Sequence, residues 1–166
     1  PTLIETADEA AQSLRVPRPV IRAFGVALRR RAQEQPEYAR AASATLWEAG
    51  YRETRLLACA ILSGQAHEDV SKWAIDYVRN CDDQEIIVEM AQVGVLDWRK
   101  SDTARFLVEV ETWLKDSDRK IRTFAFLSLR AACEDQQFKD IPSIFRIVTG
   151  FTAKVKGEER RALRQL

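Results

Sequence analysis

The residue types that do most enzymatic chemistry are scarce in this chain. His67 is its only histidine. A Ser-His-Asp triad or an HExxH zinc site therefore has almost no material to be built from. Cys59, Cys81 and Cys133 are widely spaced, and no two make a CxxC pair. An odd number of isolated thiols argues against both a disulfide framework and a zinc ribbon. Cys59 lies in an apolar stretch and reads as a buried thiol. There is no Walker loop and no GxGxxG, so no cofactor and no metal is expected. What the chain does carry is clustered charge. Arg15, Arg18, Arg22, Arg29, Arg30 and Arg31 fall in one stretch that holds no acid. Lys154, Lys156, Arg160, Arg161 and Arg164 follow near the end, against Glu158 and Glu159. Such clusters suit a phosphate track, or equally a solvated helix face. The total is even, with a formal net charge of +1.

These side chains must be positioned by helices. The 166 residues are 46% hydrophobic and 31% charged, the balance of a folded domain. Six Gly and five Pro are few, and Ala, Leu, Arg and Glu abound. One domain over 1–166 is expected, all-α, monomeric and cytoplasmic. The longest apolar run, Leu56 to Leu62, is too short to cross a bilayer. No secretory signal is visible. Pro1 stands where an initiator Met would, so a native start further upstream is an expectation.

The punctuation predicts the helices. Thr6 or Asp8 caps a first helix ending at Leu14. Pro19 opens the next, to about Gln33, with Val20, Phe24, Ala27 and Leu28 on one side. Pro36 opens a helix that Gly50 stops as a left-handed residue. Helices follow over 52–63, 67–78 and 83–93, with Asn80-Cys81-Asp82 as turn and cap. Ser101-Asp102 and Ser117-Asp118 cap two more, through Leu114 and Cys133. Pro142 opens the last, closed by Gly150, before a basic tail. Trp47, Trp73 and Trp113 read as core. Trp98, flanked by Asp97, Arg99 and Lys100, reads as the tryptophan available for stacking.

A repeat favours stacked helix pairs over a simple bundle. Residues 46–58, LWEAGYRETRLLA, align with 113–125, WLKDSDRKIRTFA. Both carry a helix end, a short turn, Arg, Arg three residues on, and Ala three further. Arg52 thus matches Arg119, Arg55 matches Arg122, and Ala58 matches Ala125. An Arg-x-x-Ala start of a second helix is a HEAT-repeat trait, so a HEAT-like αα-superhelix is expected.

The segment 46–58 resembles the DNA alkylation-repair glycosylases, the HEAT-like alkylpurine glycosylases. Val16-Pro17 with Ile21-Arg22 resembles that family's Val-x-x-Pro-x-x-Arg entry, and the resemblance runs over about 14–135. It implies excision of cationic alkylated purines from double-stranded DNA held on a basic concave face, without obligatory base flipping. The family's Trp-Asp-x-x-Asp turn falls on Cys81-Asp82-Asp83-Gln84-Glu85. Cys81 then stands for the Trp, Asp82 for the first Asp, and Glu85 for the catalytic Asp. A shift of one residue aligns Gly94 better and puts Ile86 there instead. The family's later Arg falls at Phe124, with Arg122 two residues before, and its second functional Trp has no counterpart. The resemblance implies Glu85 as the carboxylate, and Trp98 or Tyr51 is the candidate for the aromatic contact. Arg52 and the six arginines of 15–31 are the DNA-binding candidates. The competing expectation is a relative without the chemistry, binding DNA or a protein on its concave face.

Overall fold

The computed structural model describes residues 13–65 and 67–152, and every regular element among them is helical. The expected first helix and the basic tail lie outside the described residues, except that 13–17 is non-helical chain leading into α1. The helices are α1 (Arg18–Glu34), α2 (Pro36–Glu48), α3 (Arg52–Leu62), α4 (His67–Arg79), α5 (Gln84–Glu89), α6 (Leu96–Ser101), α7 (Thr103–Trp113), α8 (Arg119–Glu134) and α9 (Ile141–Thr152). A π-helical segment, Met90–Gly94, joins α5 to α6.

The caps explain most boundaries. Pro19 and Pro36 sit in the first turns of α1 and α2, where a missing N–H breaks no hydrogen bond. Gly50 takes φ +77°, the left-handed conformation that ends a helix at no steric cost. Asp102 and Asp118 accept the N–H groups of Arg105 and Lys120. The cap of α5 is Asp83, one residue beyond the expected turn, and it accepts the N–H of Glu85.

Four expectations need correction. Val20 and Phe24 are exposed, at 41% and 60%. Ala27 is exposed too, whereas Leu28 packs inward as expected, with Ile21, Gly25 and Ala32 completing the inner face of α1. Gly25 lets α1 lie close to α3, since a Cβ there would stand 3.2 Å from that of Ala60. The helix expected over 83–93 turns π-helical at Met90. Gly150 does not end the last helix, which runs on to Thr152. Trp98 lies in a helix, α6, and is 2% exposed. It packs edge-on against Phe106 and Trp113, at 5.6 and 5.9 Å between ring centres. Its charged neighbours misled because a helix turns about 100° per residue, so Asp97 and Lys100 point elsewhere. Arg99 is itself buried, and donates from Nη1 to the Ala91 carbonyl of the π-helical segment.

α3 packs against α1 and α2, α8 against α4 and α7, and the π-helical segment lies between α3 and α8. Met90, Ala91 and Gly94 are buried there. The repeat agrees with this layout: Arg52 and Arg119 both begin their helices, and Ala58 and Ala125 are both fully buried. Trp47 and Trp113 are core, as expected, Trp47 stacking on Tyr77 at 4.1 Å. Cys59 is buried too, which pushes its thiol pKa up.

Candidate functional site: a cleft between α1, α3 and α5

α1 is both basic and packed across α3, so its arginines overhang the hairpin beneath. Arg18, Arg22 and Arg29 recur at intervals of four and seven residues, which places them on one stripe of the helix. All three line a cleft of about 350 Å³. Its floor is apolar, with Ile21 and Leu56, and Glu89 and Val93 form another part of the wall. The arginine cluster is thereby divided. Arg30 pairs along its own helix with Glu34, and Arg31 lies over the Tyr38 ring, 5.4 Å from its centre. Arg15 precedes the helix with φ 56°, and its N–H donates to Ser13 Oγ.

Glu85 stands at the start of α5, where the dipole and the free N–H groups favour an acid. Its Oε2 bridges two helices, 3.1 Å from Arg18 Nη2 and 3.2 Å from Arg52 Nη1. Arg52 also donates from Nε to Asp83 Oδ2 at 2.9 Å. That hydrogen bond, countered by some desolvation, raises the guanidinium pKa above its ordinary value. The arrangement ties the first turns of α1, α3 and α5 into one ionic cluster. Glu85 is half exposed, so these pairs are individually weak and easily exchanged for other anions.

Glu89 lies one turn further along α5, on the same side as Glu85. Nothing in the sequence analysis singled it out. The available signal is its place as the acid in the apolar run Ile86-Ile87-Val88-Glu89-Met90. It lines the cleft, half-buried, and among the described residues its carboxylate has neither an ion pair nor a hydrogen bond. Burial raises its pKa, and the charges of Arg18 and Arg22 oppose that shift. On the facing wall Arg29 is paired with Asp97 of α6, whereas Arg22 has no such partner among the described residues.

The other candidates are spread apart. Cys81 is buried, its thiol directed at the Asp83 carbonyl, so no aromatic ring is presented at that turn. Tyr51 is the residue before α3 and half-buried. Arg55 lies over the Trp47 ring, 5.2 Å from its centre. Arg122 donates to the carbonyls of Asp116 and Ser117 at the start of α8. Among the described residues no group of His, Cys, Asp and Glu is arranged to hold a metal ion. No helix there is long and apolar enough to cross a membrane.

Comparison with known proteins gives one family. The model of a family described as DNA alkylation repair enzyme matches residues 5–152. No curated protein and no solved structure matches the chain.

Proposed function

Because the chain belongs to the DNA alkylation repair enzyme family, we propose that it engages alkylated double-stranded DNA through the cleft between α1, α3 and α5, as a HEAT-like glycosylase excising cationic alkylated purines. The observation that carries this reading is the stripe of Arg18, Arg22 and Arg29 along an apolar-floored cleft that Glu89 also lines, with Glu85 ion-paired to Arg18 beside it. Arginines on one helix face can contact phosphates and give sequence-independent affinity. A carboxylate among them has a different task. An N-alkylated purine already carries positive charge, so its glycosidic bond is weakened. As the bond breaks, positive charge moves onto the sugar, and a fixed anion stabilises it in a way no neutral group can.

Glu85 is the carboxylate assigned to that role, and the π-helical segment supports it. The two registers of the family motif, one through Glu85 and one through Gly94, differ by a single residue. A π-turn closes with a hydrogen bond one residue longer than an α-turn, here from Val95 N–H to the Met90 carbonyl. An extra residue taken up there, after Glu85 and by Gly94, would reconcile the two registers, which supports the one through Glu85. The ion pairs of Glu85 fit the same scheme. Phosphates arriving at Arg18 and Arg52 would compete for those guanidinium groups and release the carboxylate when DNA is in place.

The test is base release from methylated duplex DNA. The wild type should release alkylpurine, and Glu85→Gln should be slower by on the order of 10²-fold. Equal rates in the two proteins would remove Glu85 from the chemistry. A second reading, DNA or protein binding without catalysis, is favoured by the absence of an aromatic side chain at Cys81 and by the burial of Trp98. Salt-sensitive binding of duplex DNA with no base release would establish its DNA form.

A further inference from the structure

Among the described residues, Arg99 is the only buried side chain that carries a positive charge. It is 2% exposed, yet among those residues its guanidinium makes a single hydrogen bond, from Nη1 to the Ala91 carbonyl at 3.1 Å, and its Nε has no partner. Burial lowers its pKa, and the charge of Asp135, just past α8, opposes that shift. Asp135 is itself shared with Lys100, whose Nζ lies 3.6 Å away. Taking a guanidinium out of water for one hydrogen bond is costly, so stability does not account for it. What the bond meets is a break in the α-helical ladder. In an α-turn the Val95 N–H would go to the Ala91 carbonyl. Here it goes to the Met90 carbonyl and closes the π-turn. The carbonyl that Val95 gives up is the one that Arg99 takes. The backbone N–H of Arg99 also donates to the Val95 carbonyl, at 2.9 Å, so α6 grips the turn by main chain and side chain together.

We infer that Arg99 is a positioning residue for Glu85: by occupying the Ala91 carbonyl it keeps Val95 bonded to Met90, and so holds α5 in the register that presents Glu85 to Arg18 and Arg52. The inference rests on the role proposed for Glu85 and deepens it. If Ala91 took the Val95 N–H back, the segment would close one residue tighter. One residue of helix is a turn of about 100°, so α5 would rotate relative to α6 and carry Glu85 out of the ion cluster. Ile86 and Ile87, both buried, resist a full rotation. Without Arg99, α5 is therefore divided between two registers and Glu85 is held in place only part of the time. Arg99 acts on Glu85 through the backbone, and its charge is kept in the core for the strength that a charged donor gives to a hydrogen bond.

The test compares the full chain with Arg99→Met, Arg99→Lys, Glu85→Gln and the double variant of Arg99→Met with Glu85→Gln. Circular dichroism and thermal melting confirm that each is folded. Amide hydrogen exchange, followed residue by residue, reads the turn directly. In the wild type the Val95 N–H should be as protected as the amides of the buried Phe124 and Ala125 in α8. In Arg99→Met, exchange over 86–95 should quicken by on the order of tenfold, the measure of a lost hydrogen bond, and stay unchanged in α8. Arg99→Lys keeps a charged donor for the carbonyl and should restore the protection. Rapid exchange at Val95 in the wild type would overturn the inference even if no Arg99 variant folds, and so would full protection of 86–95 in Arg99→Met. Base release from methylated duplex DNA reads the consequence. Arg99→Met should lose turnover by up to about 10²-fold and keep its duplex affinity, since the arginines of α1 are untouched. It should cost little more in a protein that already carries Glu85→Gln, whereas two independent effects would multiply. Wild-type turnover in Arg99→Met, or losses that multiply in the double variant, would sink this inference and leave the role of Glu85 standing. A wild type that releases no base removes that role, and the exchange result then decides whether Arg99 holds α5.

Discussion

Glu53, at the start of α3, carries a small part of the fold on a single carboxylate. It accepts Ser13 Oγ at 2.7 Å and the Leu14 N–H at 2.9 Å. Burial would raise its pKa, but these bonds, with backbone N–H groups of Val16 and of Glu53 itself, outweigh it and lower the pKa to about 2. A carboxyl whose folded pKa is depressed contributes stability above its unfolded pKa, near 4.5, and loses it as pH falls toward 2. Glu53→Gln should therefore lower the melting temperature at neutral pH and flatten its fall across that acid window. Parallel melting curves of the two proteins against pH would exclude this role. The same contrast, between a residue's type and its surroundings, explains what the sequence disclosed of the site. Glu85 is legible because a motif fixes its place relative to a turn. Glu89 is not, because its distinction is a missing partner, and that depends on how α1 lies over α5. Trp98 misleads for the converse reason: flanking charge says nothing about a side chain that a helix turns inward.

Among the elements, those with strong stop signals were legible. Pro19, Pro36, Gly50, Asp102 and Asp118 all stand at or beside helix ends. Gly50→Ala should cost about 1–2 kcal/mol, the penalty of a Cβ in the left-handed region, measured by denaturant unfolding. A change below a few tenths would mean that the turn relaxes to another conformation. The elements missed are those whose signal is tertiary. α6 is six residues long, too short to show a period. The π-helical segment forms where one residue too many must fit between buried neighbours, and its Ala91 carbonyl accepts from the buried Arg99. The face of α1 was misjudged because Val20 and Phe24 are more apolar than Gly25. The residue that decides how close two helices come is the one without a side chain.

At the scale of the whole molecule, an even charge hides an uneven distribution. A net charge of +1 gives no hint of a nucleic-acid partner, yet α1 gathers three arginines along one cleft. The proposed DNA contact predicts a division within the cluster. Arg22→Gln should weaken duplex binding and reduce its salt dependence by about one unit of slope. Arg30→Gln should do neither, since Arg30 projects away from the cleft toward Glu34. Equal losses in the two variants would place the duplex on another surface. The repeat makes a companion prediction. Superposing 46–62 on 113–129 should bring Cα of Arg52 onto that of Arg119 and Ala58 onto Ala125, and a shifted register would dissolve the HEAT-like relation.

α1 is fastened along its whole length. Glu53 holds the chain just before it, Ala60 meets Gly25 midway, and Gln65 Nε2 donates to the Ala32 carbonyl near its end at 3.3 Å. A helix restrained at three points spread along it has no hinge about which to swing. The two walls of the cleft therefore keep their separation whether or not anything lies between them. A ligand entering such a slot spends little of its interaction energy on ordering the protein. No slow isomerisation stands between encounter and capture, so the observed association rate should climb linearly with ligand concentration and never level off into a plateau.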